Sequence, residues 1–98
     1  MSETATAYVI GHITVKDEDK WAEYRRLVPA TLAPWGADLL LRGRKLAVLA
    51  GEHRHTDTVV IRFPDAGAVE GWYRSPAYQA LIPLRRQAAD LDLVTFES

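Results

Sequence analysis

The segment Ala7–Val15, AYVIGHITV, constrains this chain more than any other. It is dominated by β-branched and aromatic residues and is too short and too apolar for a surface helix, so it is predicted to be a buried strand. Alternation divides it into two faces, with Tyr8, Ile10, His12 and Thr14 on one and Val9, Gly11, Ile13 and Val15 on the other. Only the first of these faces carries an ionisable group. The chain has 98 residues, enough for one domain over 1–98 with its core at about 7–97.

The elements that follow alternate with it. Asp17 stands where a helix N-cap belongs, and Glu18 and Asp19 lie in the first turn, where their charge suits the helix dipole. Trp21, Tyr24, Val28 and Leu32 come next at helical spacing. Pro29 is expected to bend that helix or end its regular part, and Pro34-Trp35-Gly36 closes it. Two short apolar runs, Ala37–Arg42 and Leu46–Gly51, flank Gly43-Arg44-Lys45 and read as a hairpin, or as one strand broken by a bulge at Gly43. Glu52–Thr56 reads as a solvated loop. Thr58–Phe63 is a second buried strand stopped by Pro64, and Asp65 caps a short helix reaching Tyr73. Ser75-Pro76 restarts a helix that runs to about Ala89 under strain from Pro83, and Leu91–Glu97 is the closing strand.

This order predicts an α+β fold with its helices on one face of the sheet. The other face keeps apolar side chains. In so short a chain a second copy is the simplest cover, so a homodimer is expected.

Net charge is −1 with acids and bases interspersed, so neither nucleic acid nor a membrane surface is an expected partner. The absence of cysteine excludes disulfides, thiolate metal sites and a cysteine nucleophile. Met1–Ala7 is polar, contains Glu3 and does not read as a signal peptide, and no apolar run is long enough to span a membrane. A cytoplasmic location is the expectation. There is no Gly-rich phosphate loop, G-x-S-x-G, H-E-x-x-H or paired-carboxylate motif, which leaves serine and nucleotide hydrolysis without support.

The residues also form a familiar set. Ala7-Tyr8-Val9-Ile10, Asp17, Tyr24, Val28-Pro29, Trp35-Gly36, Arg42-Gly43, Leu49, Gly51-Glu52, Phe63-Pro64-Asp65 and Trp72-Tyr73-x-Ser75-Pro76-x-Tyr78-Gln79-x-Leu81 resemble the bacterial domain-of-unknown-function 1330 family. The likeness covers about residues 7–97 and is most specific from Phe63 to Leu81. It implies a ferredoxin-like β-α-β-β-α-β protomer with an antiparallel sheet, pairing through its sheets into a dimeric α/β barrel. No activity is implied, because that superfamily places isomerases, cofactor-free monooxygenases and haem proteins on one scaffold. The His-Asp pair of one related subgroup has no match by motif here.

His12 is the first candidate for chemistry. An imidazole in a buried strand can be tuned across neutrality and serve as a general base, or it can be a satisfied histidine packed at a dimer interface. Arg42 and Arg62 lie in strands that the implied topology sets side by side, where their charges call for a carboxylate between them. That carboxylate is either a protein acid, Glu52 or Glu97, or the anionic end of a ligand. Tyr24, Trp72, Tyr73 and Tyr78 lie on helices at core spacing, and the hydroxyls of Tyr24 and Tyr78 can point into a pocket between helices and sheet. His53 and His55 with His12 would make three metal ligands, but Arg54 between them opposes a cation, so no metal is expected.

Three readings result. The first is a small-molecule enzyme without a tightly held cofactor, transferring a proton on a small acidic or aromatic compound. His12 is its catalytic residue, and Tyr24, Arg42, Arg62, Trp72 and Tyr78 bind the ligand. The second is a non-catalytic or stress-associated homodimeric domain that uses the same pocket to bind a small ligand. In the third the polar residues are interface only. Geometry discriminates: His12, an arginine and a tyrosine hydroxyl in one concavity support the first two.

Overall fold

The computed structural model describes residues 5–98. Of the stretch Met1–Ala7, expected not to be a signal peptide, residues 1–4 lie outside the described residues. The elements run β1 (Ala7–Val15), α1 (Glu18–Leu32), a 3₁₀ turn (Ala33–Trp35), β2 (Asp38–Arg44), β3 (Asp57–Phe63), α2 (Ala66–Arg74), α3 (Pro76–Gln79), α4 (Ile82–Ala88) and β4 (Ala89–Glu97). The strands form one antiparallel sheet in the order β2-β3-β1-β4. This is the expected α+β, ferredoxin-like arrangement, with β1 inside the sheet and β2 and β4 at its edges.

Local chemistry sets the helix starts where the sequence places them. Asp17 accepts a hydrogen bond from the Lys20 N–H at 3.1 Å, Asp65 from Ala68 at 2.8 Å and Ser75 from Tyr78 at 3.3 Å. Each satisfies a donor that the first turn leaves orphaned. Pro29 does not end α1, and the Ala33 N–H bonds back to its carbonyl. The single helix expected from Ser75 to about Ala89 divides into α3 and α4. The break puts Pro83 in the first turn of α4, where its missing N–H has no intrahelical role, so the expected strain is absent.

Two expectations for the middle of the chain need correction. Leu46–Gly51 is not a strand. Pairing with β3 ends at Arg44↔Asp57, the Lys45 N–H bonds the Thr56 carbonyl, and no strand among the described residues pairs with residues 46–51. The bulge lies between Leu39 and Leu41 rather than at Gly43, which pairs normally with Thr58.

One face of the sheet is covered by helices and the other is open. A methyl group added at Gly11 would meet Val59, Leu93 and Leu91, which places those three residues on the same face as Val9 and Ile13. Helix α1 covers that inner face with Trp21, Tyr24, Val28 and Leu32, and α2 with Val69 and Trp72, all buried. Trp72, Tyr78 and Phe63 are at most 2% exposed and form its centre, with ring centroids 4.2 Å apart for Trp72–Tyr78 and 5.4 Å for Phe63–Trp72. Each such pair adds about 0.5–1.5 kcal/mol beyond its burial. The indole of Trp72 donates to the Thr31 hydroxyl at 3.0 Å, so its one polar atom is not stranded.

The 3₁₀ turn is locked to α2 by a close approach at Gly71, where a Cβ would overlap the Trp35 ring. Gly71→Ala should lower stability by about 1–3 kcal/mol through overpacking, although alanine is the better helix former. Chemical denaturation of both proteins checks this, and a neutral or stabilising result would show that Trp35 is free to move.

Candidate functional site

Between α1 and the inner face lies a cavity of about 190 Å³. Its walls are apolar, built from Trp21, Val28, Leu39, Val59, Trp72 and Leu93 among others, and its polar lining comes from Tyr24, Arg25 and Arg42. A second chamber of about 170 Å³ shares Trp21, Arg25, Arg42 and Val59 with it and extends to Arg44 and Asp57. Together they make an apolar interior with a cationic mouth. A larger groove of about 760 Å³ runs between α2 and β4, but it gathers no converging polar groups beyond the Glu70–Arg74 ion pair and the end of β4.

The hydroxyls behind the cavity form a chain. Arg85 donates to the Tyr78 oxygen at 2.9 Å, and the Tyr78 and Tyr24 oxygens are 2.8 Å apart. With the Tyr78 O–H donating its hydrogen bond to the Tyr24 oxygen, the Tyr24 O–H is left to donate toward the cavity it lines. Burial, then the proximity of Tyr78, pushes the Tyr24 hydroxyl far above its ordinary pKa, so it acts as a neutral donor and not as a base. At the mouth, burial and then the neighbouring Arg25 charge lower the pKa of Arg42. Among the described residues no carboxylate pairs with Arg25 or Arg42.

The open face holds a different group. His12 stands opposite Asp92 and Thr58 on the neighbouring strands. The loop after β2 lays His53 and His55 over it, with ring centroids 4.9 Å and 6.4 Å from that of His12. The expectation of a solvated loop is wrong at His55, which is 3% exposed. Its Nε2 lies 2.8 Å from Asp92 and its Nδ1 3.0 Å from the Thr14 hydroxyl, so neither nitrogen is free for a metal. No group of three or more potential ligands suited to a metal occurs among the described residues. The His12 Nδ1 is buried without a hydrogen-bond partner.

The site residues read from the sequence thus fall on two sides of the sheet. Tyr24, Arg42 and Trp72 line the inner cavity, and Tyr78 supports it from behind. His12 is on the open face. Arg62 is also on that face, because it stands opposite Tyr8, and its guanidinium bonds the Asp38 carboxylate at 2.9 Å. Arg42 and Arg62 occupy adjacent strands as expected, but Arg42 stands opposite Val59, so the two guanidinium groups are not neighbours and neither Glu52 nor Glu97 bridges them. Sequence reasoning missed Arg25. It is one turn beyond Trp21 on α1, and that spacing was its only signal.

A family profile described as domain of unknown function DUF1330 matches residues 6–98. No curated protein sequence matches the chain. Solved structures share the fold at low identity. A protein of unknown function from Rhodopseudomonas palustris superposes with a TM-score of 0.83 at 15% identity, over 98% of this chain and 84% of that one. A dimeric ferredoxin-like protein of unknown function from Jannaschia gives 0.77 at 13% identity, over 95% and 99%. SnoaB, a cofactor-independent oxygenase from Streptomyces nogalater, gives 0.68 at 12%, over 97% and 94%. No helix among the described residues is long and apolar enough to cross a membrane.

The histidine cluster gives a pH dependence. Loss of solvent around the ring, then the charges of His12, His55, Lys45 and Arg54, hold His53 below its ordinary value of 6.5. The folded chain then binds fewer protons than the unfolded chain near and below that value, so stability falls as pH is lowered through it. The Asp90 carboxyl, held low by the hydrogen bond and charge of Arg54, keeps its stabilising share until far more acidic pH. The unfolding midpoint should therefore drop from about pH 7 to about pH 5, and His53→Gln should flatten that slope. An unchanged slope in the variant would show that His53 does not contribute to it.

Proposed function

Starting from a chain that belongs to the DUF1330 family, we propose that its inner cavity binds a small monoanion with an apolar or aromatic body. The observation that carries this is the arginine pair at the mouth, Arg25 and Arg42, with which no carboxylate among the described residues forms an ion pair, the nearest lining acid being Asp57 of the adjoining chamber. Two guanidinium groups beside an apolar chamber repel one another until an anion lies between them. The chamber is smaller than the roughly 300–1,000 Å³ of drug-sized sites, which limits the body to about one ring. Tyr24 supplies a neutral donor that fixes orientation.

The reading of non-catalytic ligand binding fits this site better than proton transfer by His12. Among the described residues no histidine lines either chamber, the one carboxylate, Asp57, lies in the outer chamber beside three arginines, and the sheet separates His12 from the cavity. A second reading keeps an enzyme without a resident cofactor. SnoaB, described as a cofactor-independent oxygenase, has this fold, and the cavity of the present chain is walled in part by the aromatic side chains of Trp21, Tyr24 and Trp72. That reading applies if a bound ligand is consumed with oxygen.

We also infer a homodimer joined through the open face, which presents Ile10, Leu41, Val60, Val94 and Phe96. Leu41, Val94 and Phe96 are 42–52% exposed in the single chain. The Jannaschia neighbour of the same fold is described as dimeric.

Calorimetric titration with benzoate, and with benzyl alcohol as the uncharged analogue, tests the ligand class. Benzoate should bind and benzyl alcohol should not. Arg42→Met should weaken benzoate by about 10–100-fold, the range for a lost charge-assisted hydrogen bond, while His12→Ala leaves binding unchanged. The reading is overturned if small acids do not bind, or if His12→Ala rather than Arg42→Met removes binding.

A further inference from the structure

Residues 45–56 form an arm with a fixed base and an uncovered tip. At the base, the Lys45 N–H bonds the Thr56 carbonyl, the Lys45 ammonium bonds the His53 carbonyl at 2.9 Å, and the Thr56 N–H bonds the Ile13 carbonyl at 3.0 Å. Arg54 is bonded to Asp90, and His55 to Asp92 and Thr14. These contacts hold the arm across the end of the open face. At the tip Leu46 and Leu49 are 99% and 97% exposed. Leu46–Gly51 has the composition of a strand, yet no strand of its own chain stands opposite it.

We propose that this arm is a clasp for a second copy of the chain, with Leu46 and Leu49 buried against the partner. The proposal rests on the homodimer inferred above and names the segment that secures it. A loose loop would hide apolar residues by collapsing onto its own protein. This one is tied at its base by side chains on β1 and β4 and still directs two leucines into water, an arrangement that burial in a partner accounts for.

The size of the open face leads to the same conclusion. Strands of nine, seven, seven and nine residues make a flat footprint of about 19 by 27 Å at ordinary spacings, or about 510 Å². Specific interfaces typically bury about 800 Å² of accessible surface per partner, and the arm adds its tip to what the sheet face contributes. A two-fold axis lying between the sheets and along the strands sets β2 of each copy over β4 of the other. The arm leaves the sheet from the end of β2, so each copy's arm reaches the partner's exposed β4 edge. The β4 edge is then covered, in the way sheet proteins avoid open-ended association.

Sedimentation across a concentration series tests this on the full chain, comparing wild type with Leu46→Ser/Leu49→Ser. Neither leucine supports the protomer's core, so the variant should stay folded by circular dichroism while its dimer dissociation constant rises by about 100-fold or more. A second measurement uses the absence of cysteine: Leu49→Cys carries a lone thiol, whose alkylation should be about tenfold slower in the dimer than in the diluted monomer. A wild-type dimer whose association is unchanged in the double variant, with the thiol equally reactive at both concentrations, overturns the clasp and leaves the homodimer standing. A monomeric wild type overturns both and assigns the tip to some other partner.

Discussion

Alternation along β1 sends Val9 and Ile13 into the helix layer and Ile10 and His12 to the opposite side, and the rest of the molecule is arranged around that division. Because β1 pairs on both edges, its alternation is copied into β3 and β4 through the register. Gly11 is at the centre of the inner face, where Val59, Leu91 and Leu93 converge on it and a side chain would intrude. The helices need that face to bury Trp72, Tyr78 and Phe63, so the sheet cannot slip by one residue without exposing its whole core.

The division separates two kinds of chemistry. The inner side is dry and aromatic, and its polar groups are organised: Thr31 satisfies the Trp72 indole, and Arg85, Tyr78 and Tyr24 form a chain that ends at the cavity. Arg25 and Arg42 stand at the solvent-exposed mouth, where no carboxylate among the described residues is paired with either. The open side is wetter and crowded with titratable groups, in which His55 is held by Asp92 and Thr14 while the His12 Nδ1 lacks a partner. That side has the character of a surface waiting to be covered.

The sequence was most legible where one local rule decides the outcome. Asp17, Asp65 and Ser75 cap helices because their side chains reach the first-turn N–H groups without help from the rest of the fold. Ala7–Val15 and Thr58–Phe63 are strands because their composition and their neighbours agree. It was least legible where partners are distant. Leu46–Gly51 has strand composition but no strand opposite it, and His55 is buried by residues 37 and 41 positions away. Arg42 and Arg62 differ in face because of the extra residue between Leu39 and Leu41, and no local signal announces that bulge. The residues read from the sequence as one site are therefore divided by the sheet, Tyr24, Arg42 and Trp72 lining the inner cavity and His12 and Arg62 on the open face.

The central claim is that ligand binding belongs to the helix-covered face and self-association to the open one. Methyl-resolved NMR during titration with benzoate reads both faces at once, because each carries its own aliphatic side chains. The account predicts shifts at Val28, Leu39, Val59 and Leu93 around the cavity, with Ile10, Val60 and Val94 on the open face unmoved. Shifts confined to Ile10, Val60 and Val94 would place the ligand beside His12 and contradict it.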